Sequence, residues 1–375
     1  MIRLKSSVIR LGLSVALLLC AVIMLKIFPS QVFSLMGSLT LYSVQSYLPV
    51  SGALVSFTEE EPVEAAEAEV TDKETTSKKT SAKVNNDLTA VDDDIEKLIK
   101  AAEKKASKDK KDGDIYEYTF TDDGATDSFG KVNVKNTNNT QIDIEEKLKE
   151  KLELKVNKKE PAVLIYHTHT TETYQLLDRD FYAQGFLSRS NDEARNMVRV
   201  GKAIATEIEK QGYKVIHVTD VYDNPYTGAY SRSREAVEAY LKKYPSIQIT
   251  LDVHRDAIQN DNGVKTKPVA TINGKKAAQI MLVSGCQEEG NGVTDLPEWE
   301  KNLAFALKLQ NNMETAFEGL TRPVFFCDRS YNMGLTPCSL LVEVGTDANT
   351  LDEAVYSGKM VGTALAQILK EYEEN

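Results

Sequence analysis

Ala162-Val-Leu-Ile-Tyr-His-Thr-His-Thr-Thr-Glu172 is the stretch on which the reading of this chain turns. Its first five residues are an apolar, partly β-branched run of strand character. The next six set two imidazoles and a carboxylate where the chain leaves that strand. Ile247-Gln-Ile-Thr-Leu-Asp-Val-His-Arg-Asp256 repeats the arrangement, and three of the chain's 4 histidines fall in these two segments. A residue type this scarce, gathered beside acids at strand ends, points first to a metal site. Imidazole and carboxylate hold a catalytic Zn²⁺ while leaving a position open for water.

Outward from these segments, strand-like and helix-like stretches alternate from Pro161 to the end. Ala194, Met197, Val200, Ile204 and Ile208 recur at helical spacing up to Gly212. Lys214-Val-Ile-His-Val218 reads as a strand, and about Ser231 to Tyr244 as a helix closed by Pro245. Strands at 247–253 and 277–283, a helix after Pro297, a strand at Ser339–Val344 and a helix from about Thr350 to Tyr372 complete the series. The alternation predicts an α/β fold with a mostly parallel twisted sheet flanked by helices. Sites in such sheets form outside the carboxyl ends of strands, where both histidine segments lie.

The rest of the 375 residues is organised differently. Arg3, Lys5 and Arg10 precede an uncharged run from Leu11 to Leu25, which predicts a signal anchor over 1–28 with a cytoplasmic tip. A cleaved signal peptide is the rival, though no small-x-small site follows Leu25. Either way the body of the protein is expected outside the cytoplasm. Residues 29–57 form an apolar juxtamembrane region. Residues 58–113 lack aromatics and read as a low-complexity charged linker, with a short helix at Asp94–Lys100. Residues 114–160, with the alternating Ile115–Phe120 and a charged helix near 143–155, read as a small accessory region ahead of a catalytic domain at 161–375. The net charge of -11 argues against nucleic acid as a partner. Cys20 sits in the apolar run, and Cys286, Cys327 and Cys338 form no framework, though one bridge among them is open.

Within the site, His169 and Glu172 can converge on one ion, with His254 as third ligand. Glu343, a carboxylate on the apolar strand Leu340-Leu-Val-Glu343, needs a compensating partner if buried and is the candidate general base for metal-assisted amide hydrolysis. His167 shares a strand face with His169 and is kept as a group that orients a ligand or contacts substrate. Asp252 and Asp256 flank His254 as acceptors for its ring, Arg255 is a candidate for a substrate carboxylate, and a surface or structural role stands beside each of the three. His217 lacks a partner motif and reads as structural.

Leu164-Ile-Tyr-His-Thr-His-Thr-Thr-Glu-Thr-Tyr174, Leu251-Asp-Val-His-Arg-Asp-Ala257 and Leu341-Val-Glu-Val-Gly345 followed by Asn349-Thr-Leu351 resemble the stage II sporulation protein P family over roughly 161–375. The resemblance implies a membrane-anchored, zinc-dependent N-acetylmuramoyl-L-alanine amidase with endopeptidase activity on peptide cross-links. Such a protein acts on peptidoglycan during forespore engulfment, alongside stage II sporulation proteins D and M. It also implies His169, Glu172 and His254 as ligands and Glu343 as catalytic acid/base. The chain departs from typical wall amidases, which carry Asp-Pro-Gly-His-Gly-Gly and a glutamate ligand on a separate helix. Here the glutamate follows His169 by three residues, as in zinc carboxypeptidases, so Glu193 and Glu207 stay open as ligands. A zinc peptidase acting on protein and a non-catalytic wall-binding scaffold are the competing readings.

Overall fold

The computed structural model describes residues 88–374. The elements in chain order are α1 (Asp93–Ala106), β1 (Lys111–Tyr118), β2 (Asp127–Phe129), β3 (Val132–Asn136), α2 (Ile144–Lys149), β4 (Pro161–Tyr166), β5 (Phe181–Ala183) and α3 (Met197–Lys210). There follow β6 (Lys214–His217), α4 (Ala229–Lys243), β7 (Ile249–Asp256), β8 (Lys265–Ile272), β9 (Lys275–Ala278), β10 (Ile280–Gly285), α5 (Trp299–Ala316), β11 (Val324–Cys327), β12 (Cys338–Thr346) and α6 (Leu351–Glu371).

The fold is mixed α/β, built on an eight-stranded sheet of order β2-β3-β11-β10-β12-β7-β4-β6 and a four-stranded sheet of order β5-β1-β8-β9. The expected mostly parallel sheet is corrected here. In the larger sheet, β6, β4, β7 and β12 pair in parallel, and so do β10, β11 and β3, but the two groups meet antiparallel at β10·β12. The smaller sheet also mixes the two senses. The reversal follows from a hairpin. Asn273 and Gly274 take φ of 50° and 77°, the pair of positive values that closes a two-residue turn between β8 and β9. From there β10 enters the sheet with no intervening helix, and a parallel neighbour requires such a crossover.

The strands sort their residues between two faces, because successive side chains alternate. Val163, Ile165, Ile249, Leu251, Val253, Leu340 and Val342 point to the face covered by α3, α5 and α6, and all are buried in one large core. Gly358 and Gly362 of α6 allow close packing on α3, where added Cβ atoms would lie 3.1 Å and 2.5 Å from the carbonyl oxygens of Val200 and Ile204. Leu164, Tyr166, Asp252, His254, Leu341 and Glu343 belong to the opposite face. There two smaller apolar clusters leave room for polar groups between them.

Three boundaries differ from the expected ones. Residues 88–113 are not all linker: Ile95 is fully buried, and Asp92 and Asp94 pair with Arg199, so charge and one apolar anchor fix α1. Residues 114–160 are not a separate accessory piece, since β1 pairs with β8 and β3 extends the large sheet through β11. Helix α3 starts at Met197 and leaves out Ala194, the first residue of the helical spacing, because Asn196 caps Val198 N at 3.1 Å while 188–190 pair with the 171–173 segment. The expected anchor at 1–28, the juxtamembrane region and the linker up to 87 lie outside the described residues. Among the described residues no helix is long and apolar enough to cross a membrane. Cys286, Cys327 and Cys338 are free and buried, and Cys286 and Cys327 pack in different clusters.

Candidate metal centre

The parallel pairing of β12 with β7 sets Glu343 directly beside His254, and β4 delivers the 167–172 segment alongside β7. Sites far apart in sequence therefore share one sheet face. The rings of His169 and His254 lie 5.2 Å apart between centroids and nearly perpendicular at 84°. His254 Nδ1 is 3.8 Å from Glu172 Oε2, and its Nε2 lies 2.8 Å from Asp252 Oδ1, a charge contact rather than an aligned hydrogen bond. His169, His254, Glu172 and Asp252 are buried, and Glu343 is half-buried with its Oε2 enclosed.

The two histidines of the first segment differ in their hydrogen bonds. His167 Nδ1 faces the carbonyl of Val253 at 2.9 Å, and its Nε2 faces His217 Nε2 at 2.9 Å. The arrangement is satisfied if His167 carries its proton on Nδ1 and His217 donates from Nε2. Helix α3 approaches this pair only because position 201 is glycine: an added Cβ would lie 2.5 Å from His167 Nε2 and 2.6 Å from His217 Nε2. His169, two residues on, has neither ring nitrogen hydrogen-bonded. Buried polar atoms without partners are uncommon, and Glu343 Oε2 is another at the same place.

Electrostatics follow the burial. Burial drives His169 down to about 2, helped by the positive charge near His254, Arg189 and Arg255. Burial also pulls on His254, but Asp252, Glu172 and Glu343 outweigh it and lift this imidazole to about 9. Glu343 is raised to about 8, first by burial and then by the neighbouring Asp256 and Glu172. The site thus holds a carboxyl group poised near neutrality.

Glu172 is not free-standing. Its Oε2 accepts from Arg255 N at 3.3 Å, and its Oε1 lies 3.4 Å from Arg189 Nη2. Arg189 also binds Asp223 Oδ2 at 2.5 Å, and Thr171 Oγ1 donates to the same oxygen at 2.6 Å. Arg189 and Asp223 thereby brace the turn carrying His169 and Glu172. Arg255 turns inward: its Nε and Nη2 donate to the carbonyls of Thr173 and Ser188, both at 2.9 Å. Its guanidinium closes a loop, unlike the substrate-facing role anticipated for it. Asp256 is paired with Arg322 at 2.9 Å. Glu193 is exposed, and Glu207 pairs with Lys210 on α3, packed near Gly362 of α6 on the other face. Neither reaches the two imidazoles.

Tyrosines line the mouth. Tyr226 stacks on His169 at 4.6 Å, Tyr230 meets its edge at 5.6 Å, and Tyr230 in turn lies parallel to His254 and stacks on Tyr331 at 5.5 Å. None of these was singled out from the sequence, and nor were Arg189 and Asp223. No sequence spacing links them to the histidines, and only the Asp-Asn-Pro turn at 223–225 marks a loop there.

Two imidazoles and a carboxylate are a zinc-type donor set, and neither ring nitrogen of His169 is engaged in a hydrogen bond, which suits this imidazole to donate to a cation. Among the described residues, however, no group of three or more His, Cys, Asp or Glu side chains stands close enough to form a closed metal cluster. Glu172 is held by the two arginines and His254 by Asp252, so the donor chemistry fits while the set is not drawn together.

The sequence model of the stage II sporulation protein P family matches residues 45–369. The chain belongs to this family. Stage II sporulation protein P of Bacillus subtilis (strain 168) is 30% identical over 204 residues, covering 51% of this chain and 47% of that protein. The chain thus matches about half the length of this curated relative. Among solved structures, the N-acetylmuramoyl-L-alanine amidase AmiC2 of Nostoc punctiforme aligns with a TM-score of 0.33 and 13% identity over 58% of this chain and 98% of that one. The CwlD amidase from Clostridioides difficile, in complex with the GerS lipoprotein, aligns with a TM-score of 0.34 and 12% identity over 56% and 98%. Likeness at this level carries no argument below.

Proposed function

We propose that this stage II sporulation protein P family member is a zinc-dependent peptidoglycan hydrolase. Its reaction is cleavage of the amide between N-acetylmuramic acid and L-alanine, with peptide cross-links as a second target, during forespore engulfment. It acts from the membrane with its N-terminus in the cytoplasm, in company with stage II sporulation proteins D and M. The observation that carries the reading is the gathering, at one side of the sheet, of two buried imidazoles, buried Glu172 and half-buried Glu343, with unpartnered polar atoms on His169 and Glu343.

In this reading His169, Glu172 and His254 hold the ion. When bound, zinc supplies polarisation of the scissile carbonyl and a water acidified toward neutral pH. Glu343 Oε2 takes a proton from the attacking water and returns it to the leaving nitrogen, a role suited to a carboxyl group lifted to about 8. Asp252 orients the His254 ring from behind. His167, locked between Val253 and His217, supports the strand end instead of binding the ion. Tyr226 and Tyr331 form the walls that meet the substrate.

The test is mass spectrometry of muropeptides released by the full-length chain from purified wall, with and without chelator, alongside zinc analysis. One zinc per chain, lost in His254→Ala, and stem peptides freed from glycan are expected. Intact wall beside a cleaved protein substrate would point to a protein peptidase instead.

A further inference from the structure

Ser233 and Asn332 lie outside every motif of the chain, yet both are buried and both face the site. Ser233 is fully buried on α4, and Asn332 belongs to the loop between β11 and β12. Asn332 Nδ2 donates to Tyr230 O at 2.9 Å and to Ser233 Oγ at 3.1 Å. Ser233 Oγ is 2.7 Å from Thr168 Oγ1, and Thr168 Oγ1 donates to Asp252 Oδ2 at 2.6 Å. Asp252 Oδ1 accepts from Thr168 N at 2.8 Å and touches His254 Nε2 at 2.8 Å.

The direction of this run is determined by proton count. A carboxylate only accepts, so the single Thr168 hydroxyl proton goes to Asp252. The proton between Thr168 and Ser233 is then the serine's, and Ser233 is left to accept from the Asn332 amide. Its alternative acceptor, Tyr230 O at 3.1 Å, is farther and already served by Asn332. Each link removes one rotational choice from the next.

The loop end of the run is unusual. Tyr331 and Asn332 take φ of 41° and 58°, a region disfavoured for a tyrosine and better tolerated by asparagine. Tyr331 also stacks on Tyr230, which lies parallel to His254. The same two strained residues therefore reach His254 by a polar route and an aromatic one.

We infer that Asn332 and Ser233 are positioning residues which, through Thr168 and Asp252, hold the His254 ring with Nδ1 turned toward Glu172. Its meaning for catalysis rests on the zinc reading above; the positioning itself does not. The chain has only 4 histidines, so the ring nitrogens of His254 can be followed by NMR of histidine-labelled full-length protein. Ser233→Ala and Asn332→Gly are compared with wild type for the His254 Nε2 resonance, zinc retention against a chelator, and kcat and KM on wall. Asn332→Gly keeps the backbone at ease at positive φ and removes only the amide, which guards against loss of folding. Both variants are expected to shift the His254 resonance and to weaken zinc retention roughly 10-fold, in line with other partners of metal ligands. They lower kcat while KM stays. A wild-type His254 resonance and wild-type zinc retention in Asn332→Gly would overturn the inference and leave the loop a matter of backbone shape. If wild type binds no zinc and leaves wall intact, the zinc reading falls, and the His254 resonance still decides the positioning.

Discussion

The two faces of the large sheet obey different rules, although each strand supplies both. On the face under α3, α5 and α6, apolar side chains interlock, and even the polar intruders His167 and His217 satisfy each other. On the opposite side, one residue from Val342 along β12, Glu343 is half-buried with its Oε2 unpaired, and beyond the end of β4 His169 is buried with both ring nitrogens unpaired. Stability is maximised when every buried polar atom is matched. Ser284 Oγ is also unmatched under the helices, but the opposite side gathers unpaired atoms of His169, His254 and Glu343 in one place, which is how a binding or catalytic site departs from its surroundings.

The largest test of this contrast is Glu343→Gln. Loss of the proton carrier is expected to slow release of muropeptides by about 10²–10⁴-fold, while thermal stability holds or rises because a buried, poorly paired carboxyl group becomes neutral. Cleavage at the wild-type rate would remove Glu343 from the mechanism. The mirror experiment belongs to the closed face. Gly201→Val drives a branched side chain into His167 and His217 and should cost about 3 kcal/mol through overpacking. In a folded unit of this size that lowers Tm by roughly 6–12 °C, and a negligible change would show that the closed face is looser than its distances imply.

A smaller effect lies in pH. Burial, with His167 and Lys202 adding to it, depresses His217 well below its ordinary value. The unfolded chain therefore takes up the proton first, so the stability this group contributes is present above about pH 6.5 and is lost as pH falls below it. His217 is partly exposed, so about 1 kcal/mol of loss between pH 6.5 and 5 is expected from it. Urea unfolding of His217→Gln, which keeps a donor toward His167 without titrating, should show that much less loss. An unchanged pH dependence would mean that His217 is not held neutral by the fold.

How much was legible in the chain varies by element. The strands at 162–166, 247–253 and 339–344 stood out because their apolar runs are long and β-branched, and the helix expected from about Thr350 opens in the structure on a capping box of Thr350 and Glu353. The antiparallel seam was overlooked although Asn273-Gly274 is a strong hairpin signal. The packing of 88–113 was concealed because a few residues hold it, Ile95 with the half-buried Leu88, Leu98 and Ile99 and the paired Asp92 and Asp94, too few to alter the composition of a charged segment. At the site, a scarce residue type beside acids at strand ends sufficed to pick out His169, Glu172, His254 and Glu343 as a set. Arg255 stayed open between a substrate-facing and a structural role because a guanidinium next to a ligand looks the same in sequence whether it faces substrate or backbone carbonyls.

By itself the sequence determined which chemistry is possible, through the side chains it places at strand ends, and which family the chain belongs to. Strand pairing decided the rest. Alternation along β7 and β12 sends Val253 and Val342 to one side and His254 and Glu343 to the other, and no local rule indicates which face a helix will cover. The choice between His167 and His169 came from Gly201 and His217, whose side of the sheet is set by how α3 packs. Hydrogen-bond satisfaction is a property of neighbours in space, so which polar groups remain unpaired was decided only by tertiary structure.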